Sequence, residues 1–174
     1  RGTARSSRGR LRRARARETA LVQIGAQLNT YADIQGTLQK VIDVTAEVLK
    51  FEDCSLFLFD RVTGKLALRA SRGTLREQVG KASYDLGDGL TGWTAERKQP
   101  VRVVDPRSDP RWRGRFQELP AEDVGAFMAV PISSHSGILG VLRVQRRKSP
   151  YKWFPNDFTE DDEVILKALA AQAA

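Results

Sequence analysis

The stretch Leu86-Gly87-Asp88-Gly89-Leu90-Thr91-Gly92-Trp93-Thr94-Ala95-Glu96-Arg97 decides how this chain is read. Its glycines have the spacing G-x-G-x-x-G, and Asp105 comes 18 residues after Gly87. In a dinucleotide-binding fold, that pattern turns a strand into a helix whose N-terminus holds a pyrophosphate, with the acid on a ribose hydroxyl. The neighbouring residues argue against it. The run Ala82-Ser83-Tyr84-Asp85-Leu86 is polar at its centre, whereas a parallel strand covered on both faces is apolar throughout. The next helix meets Pro100 after only about two turns, too short to cross over a parallel sheet. The alternative is a glycine lip. Glycine permits close backbone approach, and the first turn of a helix over residues 90–97 offers free N–H groups and a positive dipole end. Such a lip suits a small anionic or hydrogen-bonding ligand.

Upstream of the lip, Cys54-Ser55-Leu56-Phe57-Leu58-Phe59-Asp60 reads as a strand covered on both faces. A hairpin loop at residues 61–64 returns it as a second strand over 65–71. Residues 72–81 form a connector with some helical character, and 82–86 lead into the lip. Earlier still, Leu38, Val41, Ile42, Thr45, Val48 and Leu49 line one side of a helix that Asp33 can cap and that ends near Lys50. Leu21, Ile24, Gly25 and Leu28 are helically spaced, which predicts a first helix from about Leu11 to Asn29.

Downstream of the lip come a short strand over 101–104, a proline-broken loop over 105–113 and a polar span over 114–125 without a clear period. Two more strands, 126–132 and 138–146, are joined by a turn at 133–137. Thr159, with Asp162 three residues on, opens a closing helix whose apolar face is Val164, Ile165, Leu166 and Leu169. The fold class is α+β, an antiparallel sheet with helices grouped at the chain ends.

The 174 residues fit one domain, and 41% apolar content is ample for a core. No apolar run approaches the roughly 18 residues of a membrane span, and there is no signal-peptide pattern, so the chain is expected to be cytoplasmic. It starts at Arg1, as a fragment of a longer protein would. The single cysteine, Cys54, excludes an internal disulfide and a cysteine-rich zinc site. The single histidine, His135, lies in Ser133-Ser134-His135-Ser136-Gly137 and reads as a solvated turn residue. No nucleophile–base pair or metal cluster can be assembled, so no enzymatic activity, catalytic residue, metal or cofactor is expected.

The net charge of +8 is local: residues 1–17 hold eight arginines and no acid, and the rest of the chain balances 21 basic residues against 21 acidic ones. This divides an Arg-rich tail or linker over 1–17 from a domain over 18–174. The tail reads as a solvated linker or the start of a long helix. Nucleic acid is not the expected partner, because no aromatic residue is interleaved for base stacking.

The order of elements and six local strings resemble the GAF family of small-molecule sensor domains over about residues 20–174. The strings are the first strand at 54–60, the lip with Trp93, Val103-Val104-Asp105-Pro106 with Asp109-Pro110-Arg111-Trp112, Ala129-Val130-Pro131-Ile132, Gly137-Ile138-Leu139-Gly140-Val141-Leu142, and Phe158-Thr159-Glu160-Asp161-Asp162. The resemblance implies a sheet of about six strands with end helices on one face and a loop-covered pocket on the other. It also implies a homodimer through end helices that continue into an output domain, and a small-molecule ligand. On that fold the pocket floor is expected to take Ser55, Phe57 and Arg143, and the rim Leu90, Thr91, Arg113 and Val124. Arg143 is the sharpest hint: a charge within an apolar strand must be paired or face a ligand, here an anionic, nucleotide-like or planar hydrogen-bonding one. Competing readings are a dimerisation module with a self-filled pocket and nucleic-acid contact through the tail. Cyclic-nucleotide-binding members carry an Asn-Lys pair where this chain has Gln145-Arg146, although Phe158, Asp162 and Glu163 match the rest of their motif.

Overall fold

The computed structural model describes residues 3–30, 34–49, 53–73, 75–113, 124–147 and 157–173. Two helices, α1 (Thr3–Thr30) and α2 (Ile34–Leu49), precede a hairpin of β1 (Asp53–Asp60) and β2 (Lys65–Arg72). Then come β3 (Ser83–Asp85), α3 (Gly89–Arg97), β4 (Val101–Val103), β5 (Val124–Ser134), β6 (Gly137–Arg147) and α4 (Glu160–Gln172). The six strands form one sheet in the order β3-β2-β1-β6-β5-β4, with every neighbouring pair antiparallel. This is the α+β architecture that the element order implies, and the antiparallel pairing removes the dinucleotide alternative. The predicted cap Asp33 and most of the polar span, 114–123, lie outside the described residues.

Strand parity sorts the apolar residues into two cores. On one face Leu56, Met128, Val130, Leu142 and Val144 meet Leu38, Ile42, Ala46 and Leu49 of α2 and Ile165, Leu166 and Leu169 of α4. On the other, Phe57, Phe127, Ala129 and Val141 meet Leu90 and Ala95 of α3, with Tyr84 of β3. In β2 the alternation is broken. Leu56 pairs with Ala70 but Phe57 pairs with Leu68, so one extra residue, Arg69, is bulged out. A bulge reverses the facing of the residues on its far side. Leu66 and Leu68 therefore belong to the α3 side and Ala70 to the α2 side.

The charge-rich start of the chain continues without interruption into the first helix. The Arg-rich residues from Thr3 onward and the residues up to Thr30 form one α-helix. Ala20 is its first buried described side chain, and Leu21 packs against the α2–α4 core. α4 opens with the expected capping box: Thr159 Oγ1 accepts from the Asp162 N–H at 3.2 Å, and Asp162 accepts from the Thr159 N–H at 2.9 Å. Four acids then occupy its first turn, where the helix dipole favours them. The sheet is finished on both sides by three-residue strands, β3 and β4.

Candidate functional site

The glycine lip gives each glycine a separate task. Gly87 and Gly89 have φ of 81° and 67°, a region that disfavours any residue with a Cβ. Gly92 is needed for space: a Cβ there would run into the carbonyl oxygen of Asp85 and come within 3.1 Å of the Gly87 nitrogen. The Gly87 N–H donates to the Gly92 carbonyl at 2.9 Å, which closes the lip on itself. The result is that α3 begins over the sheet, packed against β5 and β6.

Beneath that start lies Arg143. Its position in β6 is opposite Ser55 of β1 and Ala129 of β5, at the middle of the sheet. Only 8% of it is exposed. Nη1 donates to Thr91 Oγ1 at 3.0 Å and to the Tyr84 hydroxyl at 3.3 Å. The guanidinium carbon stands 5.1 Å from the ring centre of Phe57, 5.7 Å from Phe127 and 5.8 Å from Tyr84. Phe57 and Tyr84 meet edge to face at 5.4 Å. Among the described residues no carboxylate pairs with this cation. Its neighbours are neutral hydroxyls and the negative faces of aromatic rings, which stabilise a guanidinium without neutralising it.

The structure thus brings together Ser55, Phe57, Leu90, Thr91 and Arg143 on the α3 side of the sheet. Ser55 is buried there, but its hydroxyl bonds Ser71 Oγ at 3.0 Å, and Ser71 donates to the Cys54 carbonyl. The two expected rim residues, Arg113 and Val124, do not touch Arg143. Arg113 is exposed beside the lip, with Nε 3.7 Å from Asp88, Cγ 3.8 Å from where a Cβ on Gly89 would stand, and Nη1 on the Pro110 carbonyl. Val124 is already within β5, paired with Arg147; Ala129, the residue beside Arg143, is five positions on, about 16 Å of strand. Sequence reasoning missed Tyr84 and Phe127. Tyr84 is the inward member of an otherwise polar three-residue strand, and Phe127 has the same parity as Ala129. Those were the available signals.

Two further arrangements frame the site. Arg111 lies 4.4 Å over the Trp93 ring and grips Asp109 with two bonds, Nε to Oδ1 at 2.9 Å and Nη2 to Oδ2 at 2.7 Å. That clamp holds the Asp109 carboxyl below its usual range and raises the guanidinium. It ties the proline-broken loop to α3. On the opposite face, Arg146 stacks 4.7 Å over the ring of the fully buried Phe158. Burial lowers the pKa of Arg146, partly countered by Asp162 and Asp157. Of the half-motif, Phe158 and Asp162 anchor the start of α4 here, and Glu163 pairs with Lys167 one turn on at 3.4 Å. His135 is exposed in the β5–β6 turn. Cys54 is buried in the helix-side core, where burial pushes its thiol pKa far up. No helix among the described residues is long and apolar enough to cross a membrane.

A family model described as GAF domain matches residues 32–174. Over 154 residues the chain is 29% identical to the Nif-specific regulatory protein of Herbaspirillum seropedicae, covering 87% of this chain and 27% of that protein. It is 25% identical to the dual 3',5'-cyclic-AMP and -GMP phosphodiesterase 11A of Takifugu rubripes, covering 78% of this chain and 16% of that protein. The chain thus spans about a quarter or less of these relatives. Among solved structures, the GAF domain from a phosphoenolpyruvate-protein phosphotransferase of Coxiella burnetii superposes with a TM-score of 0.78 at 31% identity, covering 90% of this chain and 89% of that one.

Proposed function

The chain belongs to the GAF domain family, and from that premise we propose that it is the ligand-sensing regulatory domain of a larger cytoplasmic signalling protein. The ligand is a small anion, or a planar molecule with an anionic edge, seated between α3 and the sheet. Its charge meets Arg143, and its body lies against the Phe57, Tyr84 and Phe127 rings. One observation carries this reading: Arg143 is more than nine-tenths buried with no carboxylate partner among the described residues. A buried cation held by neutral groups alone costs several kcal/mol of desolvation, about what an incoming anion recovers. The similarity to a Nif-specific regulatory protein supports a regulatory setting. In this reading the domain binds and does not catalyse. The part of α1 that follows Arg17, together with α4, pairs with a second copy and passes the change to an output domain. A ligand acts on that pairing only through unequal affinity for two helix arrangements.

Calorimetry against a panel of metabolites and nucleotides tests the reading, run in parallel on the unmodified chain and on Arg143→Met, which replaces the cation with an apolar side chain of similar length. The expected result is heat from one anionic class that the variant loses while keeping its fold by circular dichroism. Equal heats from both proteins remove Arg143 from the site. A panel without any heat, with a dimer in light scattering, leaves a pairing module.

A further inference from the structure

We propose that the N-terminal half of α1 is a binding surface for double-stranded DNA, held through its phosphates. The proposal is independent of the pocket. In α1 the first buried described side chain is Ala20, and none of residues 9–19 is buried. Arg12, Arg13 and Arg15 are exposed and Arg17 is half-buried. Among the described residues none of these four is in an ion pair. On a helix Arg12 and Arg15 share one side, and Arg13 and Arg17 share another, roughly opposite. The cations therefore form two rows with the helix axis between them. The remainder of the chain has no net charge to oppose or assist them.

That geometry discriminates among polyanions. A bilayer meets one side of a helix and needs an apolar stripe on it, but residues 3–17 contain one large apolar residue, Leu11. A second copy of the same segment repels the first. Single strands are held by stacking on aromatic side chains, and the first aromatic residue of the chain is Tyr31. A duplex groove has two phosphate walls. The major groove, about 12 Å wide, admits a helix about 10–12 Å across, so both rows find a wall. All eight cations of residues 1–17 are arginine, whose planar fork grips phosphate with two bonds. The segment has no Asn or Gln to read adenine, so any base contact is limited to guanine edges and most of the binding falls on the phosphate backbone. The sequence left nucleic-acid contact through the tail as a competing reading only; fixing the same arginines on an exposed helix brings it forward.

The test is fluorescence anisotropy of a labelled DNA duplex of about 20 base pairs, titrated with the whole chain at several salt concentrations. Four phosphate contacts give a slope of log affinity against log salt of about −3.6, a weakening of roughly 150-fold between about 50 and 200 mM salt. With Arg12, Arg13, Arg15 and Arg17 all changed to Gln, a good helix former, the slope should flatten by about that amount while the circular dichroism spectrum stays the same. The corresponding four-lysine variant should keep the slope. Absence of salt-sensitive binding, an unchanged slope in the Gln variant, a lost slope in the Lys variant, or anionic phosphatidylserine vesicles bound as tightly as duplex would each overturn the proposal.

Discussion

Thr91 and Thr94 are both buried, stand on the same helix and differ by one partner. Thr91 Oγ1 accepts from the Arg143 guanidinium at 3.0 Å; Thr94 Oγ1 donates to the Leu90 carbonyl at 2.8 Å. Valine has nearly the shape of threonine without its oxygen. In Thr91→Val a charged donor deep in the protein loses one of its two hydroxyl partners, which costs about 1.5–3 kcal/mol. In Thr94→Val the carbonyl that is abandoned still accepts the N–H of its own helix, so the loss stays below about 1 kcal/mol. For a domain of this size the first change lowers the melting temperature by about 3–12 °C. Scanning calorimetry on the two variants and on Thr91→Ser, which keeps the oxygen, measures the contrast. Equal losses at the two positions, or no rescue by serine, would refute the idea that Thr91 holds Arg143 in place.

Other expectations rest on single contacts. Gly92→Ala should cost about 1–3 kcal/mol because the methyl meets immovable backbone of Asp85 and Gly87, whereas Gly9→Ala, which meets nothing within 4 Å on an exposed turn of α1, should gain up to about 1 kcal/mol in helix propensity; urea unfolding gives both numbers. The Asp109 carboxyl is lowered in the folded state by the Arg111 hydrogen bonds, so its stabilising effect is complete above the normal aspartate range and is lost as pH falls through the lowered value. Trp93 fluorescence should report that acid transition, and Asp109→Asn should abolish it. Cys54, buried with its thiol pKa driven up, should resist alkylation in the folded protein and react at once in denaturant.

Much of this architecture could be read from residue patterns because period and punctuation agreed. The short, nearly continuous apolar run in 54–60, the turn at 133–137 and the Thr159/Asp162 pair each specify one local outcome. Strand parity sets Ser55 and Phe57 on a common face, and the family resemblance added Arg143 to it. Parity failed where the count along a strand changes: the Arg69 bulge reverses β2, and nothing in Leu68-Arg69-Ala70 announces it, since each residue there fits an ordinary strand. Tyr84 escaped notice because its run, read as a strand, is polar on either side of it at Ser83 and Asp85 and shows no apolar face to mark which side is inward. Arg113 was set on the rim by the family resemblance, and it lies against the lip beside Asp88. The Arg111–Trp93 stack depends on how the loop returns to α3, a long-range event with no local signature.

The brevity of β3 and β4 has its own consequence. A foreign chain extending the sheet from either margin would find only a few free backbone groups, and next to them charged side chains of Asp85 on one side and Arg102 on the other. Ribbon-by-ribbon growth, the usual route to fibrils, is starved at both ends. Crowded solutions of the folded domain should therefore remain clear.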